Sequence, residues 1–503
     1  MRGVYDEIAA AVPVVATGAP GAAAVACGSQ TTLAAAVCAL RAGGTAVDAA
    51  IAAGFAAAIG EPTLSSLGGG GFLLVAEPGQ DPVLLDFFVD VPGLGAGNRE
   101  PHVETLTVTF GSGVQQVFHA GWGSIAVPGC LPGYLAALGR WGRLALPEVV
   151  GPAIEAARSG VYLDDVQIEF IRVIGDILRI TSASAALYDP VLAGEPFRNT
   201  AYADLLTALA NGEVSGADDP AFVDPIDSAM RSHGGMVTRE DLLTYRPTER
   251  RPISLRRAGA EIWTNPSPSF GGGIILDALA HICVESNPRE LWPSTLDALL
   301  AATARRRQAD TDAQVTHVTR GTTHVSVIDS EGRVAALSMS NGSGSGVVVE
   351  GISFNNMLGE EDLNPHGPHA DHGLMPGTRM GSMMAPSIMR ATDGSVLVAG
   401  TGGSERIRSA LTTVLARTLD LQMDPASAIG APRLHVTEDI IEVEPGLPHD
   451  VLDALRASPR PVREWPAADL FYGGVHAVRR TADGTVEAIG DSRRGGAVAV
   501  VEP

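Results

Sequence analysis

Apolar and polar residues alternate over residues 323–340, where THVSVIDSEGRVAALSMS is interrupted once by the polar run DSEG. A period of two predicts a β-strand, and Asp, Ser and Gly between two such runs predict a turn. We therefore expect a β-hairpin here. The same pattern of strand, polar turn and strand occurs in PISLRRAGAEIWTN, from residue 252, and in GVHAVRRTADGTVEAIG, from residue 474.

Helical spacing of small apolar residues covers residues 30–60, and RAGG divides this stretch into two Ala-rich helices. Further helical patterns cover residues 144–182 and 201–211 and the sequence GGGIILDALAHI, whereas LGGGGFLLVAE predicts a strand. Helices and strands are intermixed without a regular βαβ period or an internal repeat. The pattern predicts an α+β fold with antiparallel sheets.

Composition and charge narrow the function classes. The chain has 503 residues, of which 45% are apolar, so it can bury a large core. Lys and Arg number 35 against 57 Asp and Glu, and the net charge of −22 repels phosphate backbones and anionic lipids. Because Arg41 and Asp48 interrupt the longest apolar region, no run of about 20 apolar residues is available to span a bilayer. We expect no nucleic-acid or membrane partner.

The N-terminal 27 residues are rich in Ala and end in a sequence similar to a lipoprotein cleavage box before Cys27. However, Asp6 and Glu7 lie where a signal peptide is basic, and Pro13 and Pro20 interrupt the apolar stretch. The four cysteines lie far apart without a CxxC pair, which argues against a disulfide scaffold or a cysteine zinc site. The sequence therefore favours a reducing, cytoplasmic location.

Thr322 follows Gly321 at the head of the first alternating run. A threonine hydroxyl is a poor nucleophile without a base, but an N-terminal threonine carries its own α-amine, whose pKa of about 8 suits neutral pH. Such a residue becomes N-terminal only if the chain is cut before it, and glycine at the preceding position allows the required bend. From the dipeptide alone, an ordinary β-branched residue at the start of a strand is the favoured interpretation.

Eight stretches of sequence occur in this order between residues 41 and 407. They are RAGGTAVDAAIAAGFAAAIGEP with LGGGGFLLV, VPGCLPGYLAALGRWGRLALPEVVGPAIEAARSGV, NPSPSFGGGIIL, TTHVSVIDSEGRVAALSMSN, FNNML, RMGSMMAPSIM and GTGGSERI. Together they resemble the γ-glutamyltransferase (γ-glutamyltranspeptidase) family of N-terminal-nucleophile hydrolases. The resemblance implies a four-layer αββα sandwich. It also implies autocatalytic cleavage of a precursor (zymogen) into a heavy segment, residues 1–321, and a light segment, residues 322–503, which remain one intertwined unit.

The resemblance assigns roles to matching residues. Thr322 corresponds to the nucleophile, and Ser340 replaces a family threonine whose hydroxyl binds it. Asn341 matches an asparagine near the substrate head, although the spacing is one residue shorter. Gly402 and Gly403 correspond to the oxyanion hole, in which backbone N–H groups stabilise the tetrahedral intermediate. The implied reaction forms an acyl-enzyme from a small-molecule amide and passes the acyl group to water or an amine, with no cofactor or metal.

Three family contacts are replaced by apolar residues. Phe88 stands where the family has an arginine that holds the substrate carboxylate, Met357 replaces a glutamine, and Met383 replaces a serine, leaving Ser382 alone. A carboxylate without its arginine is poorly compensated when buried. We therefore expect altered acyl specificity, with an acyl group that has an apolar body. Alternatively, these residues only pack, and Arg379 or Arg99 holds the carboxylate.

Two features lie in the segment after the asparagine pair. Glu360 is in register with a family aspartate that pairs with the substrate amine. His366, His369 and His372 are spaced three apart, but the Pro and Gly residues between them favour a loop over a metal site. We expect no bound metal.

Several functions remain open at this stage. Some relatives in the superfamily are acylases on β-lactam side chains, and others cleave a carbon–carbon bond in the biosynthesis of pyrrolidine-containing natural products. Either would suit a cytoplasmic enzyme of secondary metabolism that lacks the arginine. A third alternative is a non-catalytic relative that keeps the fold for binding, which absence of self-cleavage would favour. The sequence leaves open the acyl donor, the acceptor and the assembly state, a homo-oligomer included.

Overall fold

The computed structural model describes residues 10–109, 115–283, 288–309, 321–359, 375–437 and 439–503. The strands are β1 Val14–Gly18, β2 Ala23–Cys27, β3 Gly70–Ala76, β4 Val83–Phe87, β5 Glu104–Thr109, β6 Gln115–Ala120, β7 Thr248–Arg250, β8 Ile253–Arg257, β9 Ala260–Thr264, β10 Gly321–Ile328, β11 Val334–Gly342, β12 Val348–Val349, β13 Ile352–Ser353, β14 Ser387–Ala391, β15 Val396–Gly402, β16 Leu434–Val436, β17 Ile441–Val443, β18 Val462–Glu464, β19 Gly474–Arg480, β20 Val486–Gly490 and β21 Ala497–Val501.

The helices alternate with these strands along the chain. They are α1 Gln30–Arg41, α2 Ala46–Gly60, α3 Cys130–Trp141, α4 Leu146–Ser159, α5 Asp165–Val173, α6 Gly175–Leu178, α7 Ser182–Leu192, α8 Thr200–Asn211, α9 Pro220–His233, α10 Arg239–Thr244, α11 Gly271–His281, α12 Leu291–Ala309, α13 Arg406–Asp420, α14 Pro425–Gly430 and α15 His449–Arg456.

Two seven-stranded antiparallel sheets stack face to face. The first has the order β1-β20-β19-β15-β14-β9-β8 and the second β21-β2-β10-β11-β3-β4-β7. Strand β10 packs against β15 and β19 across the interface between the sheets. Helices α1 and α2 cover the outer face of the second sheet, and α11 and α13 cover the outer face of the first. The four-layer αββα sandwich expected from the resemblance is confirmed.

The alternating pattern decides which layer each side chain enters. On β10, Val325 and Val327 belong to the apolar core under α1 and α2, whereas Ser326 faces the other sheet and donates to the His476 carbonyl. All three predicted hairpins form, as β10–β11, β8–β9 and β19–β20. A period of two along each strand therefore separates the helix-covered core from the interface between the sheets.

Helices α1 and α2 have the boundaries that the RAGG break predicts. The side chain of Ser29 caps α1, and Thr45 and Asp48 form a capping box at the start of α2. Every residue of α2 is buried, which its Ala-rich composition permits because small side chains allow close packing on all sides. The predicted helical stretch 144–182 is broken instead into α4, α5, α6 and the start of α7, since Gly160 ends α4 with φ +79°.

Sequence reasoning missed the strands before α1. Strand β2 lies between β21 and β10 and all five of its residues, Ala23–Cys27, are buried. The Ala-rich stretch that ends at Cys27 thus includes a strand of the second sheet. None of the helices in the described ranges has the length and apolar character needed to cross a membrane.

Both sheets combine strands that precede Gly321 in the chain with strands that follow it. In the second sheet β10 and β11, from the later part of the chain, lie between β2 and β3 from the earlier part. In the first sheet β14 pairs with β9 in the same way. A chain cut before Thr322 would therefore keep its two parts joined by backbone hydrogen bonds.

Candidate active site

Thr322 and Ser340 face each other on β10 and β11. They are register partners, and the Thr322 hydroxyl donates to Ser340 Oγ at 3.3 Å. The Ser340 hydroxyl in turn donates to the Gly321 carbonyl at 2.6 Å and accepts from the Gly342 N–H at 2.9 Å. One side chain therefore contacts both the hydroxyl of Thr322 and the carbonyl of the peptide bond that precedes it.

Gly321 lies where the strand pairing is irregular. The β10–β11 register shifts between Gly321 and Thr322. A Cβ at position 321 would lie 2.8 Å from the Gly342 carbonyl oxygen and 2.9 Å from that of Thr63. Because both neighbours are backbone atoms, which cannot rotate away, any side chain here would displace a strand. The site therefore requires glycine for space.

The Gly402–Gly403 turn approaches Thr322 from the other sheet. A Cβ at Gly402 would lie 1.9 Å from the Thr322 carbonyl oxygen, and Gly403 has φ +128°, a conformation that side chains disfavour. Helix α13 begins three residues later, so the turn lies near the partial positive charge of a helix N-terminus. The pair predicted as an oxyanion hole is therefore brought to the backbone of Thr322.

His324 lies two residues after Thr322 on β10. Its ring is buried, with Nδ1 2.8 Å from Ser338 Oγ and Nε2 2.9 Å from Ser326 Oγ. Burial, with a smaller effect from His476, holds the pKa of His324 well below its usual value. A neutral ring bonded through both nitrogens indicates that His324 packs in the strand.

Glu61, which sequence reasoning did not select, lies on the other face of β10. Thr323 donates to one carboxylate oxygen at 2.5 Å and Thr32 to the other at 2.8 Å. Burial raises the pKa of Glu61 to about 7, against the opposing effect of these hydrogen bonds. The sequence feature that could have indicated Glu61 is a carboxylate directly after the Ala-rich run of α2. Its partner Thr323, however, is 262 residues away in sequence.

The three apolar replacements are packed in the core. Phe88 and Met357 are each 1% exposed and Met383 is 7% exposed, and all three belong to the same apolar cluster. Phe88 stacks on Phe72, with ring centroids 5.5 Å apart. Ser382 is also buried, and its Oγ accepts from the Met384 N–H at 3.1 Å. Apolar packing thus occupies the positions at which the family arginine, glutamine and second serine were expected.

Asn341 does not join the hydroxyl pair. Since it follows Ser340 on β11, its side chain points to the opposite face of the sheet, where Nδ2 donates to the Ser353 carbonyl at 3.3 Å. A Cβ at Gly69 would be 2.3 Å from Asn341 Oδ1. The one-residue difference in spacing from the family motif explains this, because a shift by one residue along a strand reverses the face.

Arg379 and Arg99, the alternative carboxylate binders, are already engaged. Arg379 donates to Asp90 at 2.6 Å and to Asp86 at 2.8 Å, and its remaining terminal nitrogen donates to the Arg246 carbonyl. Arg99 lies 3.8 Å from Asp227 and donates to a backbone carbonyl. Both guanidinium groups therefore hold parts of the protein together.

The remaining candidates lie outside the described ranges. These are Glu360 and the three histidines at 366, 369 and 372. Within the residues that the structure does describe, no group of three His, Cys, Asp or Glu side chains is arranged to hold a metal ion.

The four-layer sandwich is the fold of enzymes of the N-terminal-nucleophile hydrolase type. The chain belongs to the gamma-glutamyltranspeptidase family, whose model matches residues 32–320 and 295–501. The family resemblance read from the motifs is thereby confirmed.

Known proteins similar to the chain include two enzyme precursors. The glutathione hydrolase proenzyme of Escherichia coli (strain K12) is 25% identical over 526 residues, covering 90% of this chain and 87% of that protein. The acylase ACY 1 proenzyme of Pseudomonas sp. (strain SE83) is 28% identical over 505 residues, covering 89% and 88%. The crystal structure of cephalosporin acylase from Bacillus halodurans shares the fold, with a TM-score of 0.76 at 24% identity and coverage of 97% and 96%.

Proposed function

We propose that Thr322 cuts the chain at the Gly321–Thr322 bond and then serves as the nucleophile of an amide hydrolase or acyltransferase. The observation that carries this proposal is the position of the Ser340 hydroxyl, which contacts both the Thr322 hydroxyl and the Gly321 carbonyl oxygen. Autocleavage needs both contacts at once, because the first orients the attacking oxygen and the second stabilises the charge that develops on the carbonyl.

Cleavage proceeds in two steps. Thr322 Oγ adds to the Gly321 carbonyl carbon, its proton passes to the Thr322 nitrogen, and the peptide C–N bond breaks, which moves the acyl group from nitrogen to oxygen. Water then hydrolyses the resulting ester, leaving a carboxylate on Gly321 and a free α-amine on Thr322. The products are a heavy segment, 1–321, and a light segment, 322–503. The two segments stay together because each sheet contains strands from both.

The processed enzyme uses the same groups on its substrate. The freed α-amine of Thr322 takes the proton from Oγ as the hydroxyl attacks an amide carbonyl. The Gly402–Gly403 turn stabilises the oxyanion, the amine product leaves, and water or a second amine takes the acyl group from Thr322. No step in this sequence requires a metal or cofactor.

The acyl group differs from a γ-glutamyl group at its head. Phe88, Met357 and Met383 form part of a buried apolar cluster at the positions of family polar contacts. A charged group placed against Phe88 would lose its hydration without gaining a partner. We therefore propose an acyl donor with an apolar body beside these residues. Because one relative is an acylase precursor, a side-chain acylase is the second candidate function.

Intact mass under denaturing conditions tests the cleavage. The wild-type protein should give two masses that meet at Gly321 and Thr322, and Thr322→Val should give one. Thr323→Val is a matched control, because Thr323 is adjacent and equally buried but points to the other face of β10. It should be cut. One full-length mass for both wild type and control would overturn the proposal and favour a non-catalytic role.

A substrate screen follows on processed protein. We expect turnover of simple acyl anilides to exceed that of the γ-glutamyl anilide. Preference for the γ-glutamyl compound would contradict the altered acyl specificity while leaving the nucleophile intact. A cytoplasmic location and a role in secondary metabolism stay predictions.

A further inference from the structure

The head of β10, residues 321–325, has a strand partner on one side only among the described residues. Strand β11 pairs with β10 along its whole length. Strand β2, on the other side, pairs with β10 only over Ser326–Ile328. Strand pairing on the β2 side therefore ends before it reaches Thr322 and Thr323.

A buried carboxylate contacts this head from the end of α2. Glu61 directly follows the last residue of α2 and is 1% exposed. Its Oε2 accepts from the Thr323 hydroxyl at 2.5 Å, and its Oε1 accepts from the hydroxyl of Thr32, in the first turn of α1, at 2.8 Å. One carboxylate thus connects two helices that precede the proposed cleavage site with the strand that follows it.

Surrounding contacts fix Glu61 in this place. Its carbonyl accepts from the Leu64 N–H at 2.9 Å. The carbonyl of the next residue, Pro62, accepts from the Tyr188 hydroxyl at 2.9 Å. A Cβ at Gly28 would lie 2.3 Å from Glu61 Oε2, so a side chain there would displace the carboxylate. The backbone and the side chain of Glu61 are therefore both held against the head of β10.

Cleavage would change what holds the nucleophile. Before the cut, peptide bonds hold Thr322 on both sides. After the cut it is a chain end, and chain ends are where local unfolding concentrates. Its hydroxyl bond to Ser340 is long, at 3.3 Å. Because a misplacement of about 1 Å at a reacting group costs about 100-fold in rate, the processed enzyme needs a further contact close to Thr322.

We propose that Glu61 is a positioning residue that holds the freed N-terminus of the light segment by accepting from Thr323, and this inference rests on the proposed function. Glu61 acts through Thr323, whose side chain points to the opposite face of β10 from that of Thr322. The bond joins the heavy segment to the light segment, so it persists after the cut. Turnover therefore depends on this bond, whereas cleavage takes place while Thr322 is still tethered on both sides.

Thr323→Val tests the inference, because it deletes the donor and keeps the shape of the side chain. In the processed enzyme we expect kcat on an acyl anilide to fall about 10- to 100-fold. KM and the rate of precursor cleavage should each stay within about threefold of the wild-type values. Thr323→Ser keeps the hydroxyl and should keep most of kcat. A Glu61→Ala, Thr323→Val double variant should lose no more than the larger single loss, because both changes remove one bond.

Thr45→Val is the matched control. Thr45 is also a buried threonine whose hydroxyl donates to a carboxylate of α2, that of Asp48, at 3.0 Å. It lies at the other end of this 15-residue helix, roughly 22 Å from Glu61. Thr45→Val should lower the melting temperature and leave kcat unchanged. If Glu61→Ala does not fold, Thr323→Val decides the question, since it removes a single hydroxyl.

A second measurement reports on the terminus without a substrate. Periodate oxidises an N-terminal threonine, whose amine and hydroxyl are on adjacent carbons, and thereby lowers the mass of the light segment. On native processed protein we expect Thr323→Val to be oxidised at least about 10-fold faster than wild type or Thr45→Val, because a terminus that opens locally is exposed for longer.

Several results would overturn the inference while leaving the proposed function intact. These are a wild-type kcat or oxidation rate in Thr323→Val, and an equal loss of kcat in Thr45→Val. Cleavage that slows as much as kcat in Thr323→Val would mean that Glu61 supports the fold of the site and not the freed terminus, which also overturns it.

The same measurements separate this inference from the proposed function. A cut protein that turns over no anilide would contradict the proposed activity, while fast oxidation of Thr323→Val would still support the positioning of the terminus. An uncut wild-type protein would contradict the proposed function and the inference together.

Discussion

Removal of the Ser340 hydroxyl should slow cleavage at the Gly321–Thr322 bond far more than it weakens the fold. Ser340→Ala deletes the donor that lies 2.6 Å from the Gly321 carbonyl oxygen and the acceptor for the Thr322 hydroxyl at 3.3 Å. Loss of one donor to a developing oxyanion costs about 3–4 kcal/mol, which corresponds to roughly a 100- to 1,000-fold lower rate.

The contact to the nucleophile adds little to this estimate. At 3.3 Å the bond between the two hydroxyls is longer than the usual 2.7–2.8 Å, so it contributes orientation more than energy. The Gly342 N–H loses its acceptor, which costs stability by about 1–3 kcal/mol. We therefore expect a folded protein of lower melting temperature that is cut slowly.

The assay follows the fraction of uncut chain by intact mass from the time of synthesis. Ser338→Ala is the matched control, because Ser338 has the same residue type, strand and face but bonds His324 instead. Ser340→Thr restores a hydroxyl and should restore cleavage. The reasoning is refuted if Ser340→Ala is cut as fast as the wild type, or if Ser338→Ala is slowed to the same degree without a larger loss of stability.

Four further outcomes follow from the packing and charges around the site. Gly402→Ala should abolish cleavage or folding, because its Cβ would lie 1.9 Å from a backbone carbonyl, whereas Gly139→Ala, with no atom within 4 Å, should leave the melting temperature unchanged or raised. Since the pKa of Glu61 rises from 4.5 to about 7 on folding, stability should fall by up to about 3 kcal/mol as pH rises through that window, and Glu61→Gln should remove this fall in pH-dependent melting curves. Phe88→Leu should change the ratio of kcat/KM for long and short acyl anilides; a lower melting temperature with an unchanged ratio would mean that Phe88 only packs. Processed protein should elute as one species that contains both segments in native gel filtration, and separation of the segments without denaturant would contradict the interleaved strand order.

The sequence by itself determined the elements that depend on local pattern. Alternation over residues 323–340 predicted β10 and β11. Equal distances from the four-residue DSEG run would pair Thr322 with Met339, whereas the connection in the structure has five residues, 329–333, and pairs Thr322 with Ser340. The strands therefore follow from the residue pattern, but their register does not. The helix boundaries at RAGG and the ordered family motifs depend likewise on residues close in sequence.

The tertiary structure alone decided which distant groups meet at the head of β10. Glu61 reaches Thr323 across 262 residues, and Arg494 comes to the Gly402–Gly403 turn from the far end of the chain. Neither contact can be predicted from the periodicity of the sequence, because burial of a charged side chain depends on the packing of strands and helices that are remote in sequence. The face of Asn341 was decided in the same way, since one residue of strand register reverses the direction of a side chain.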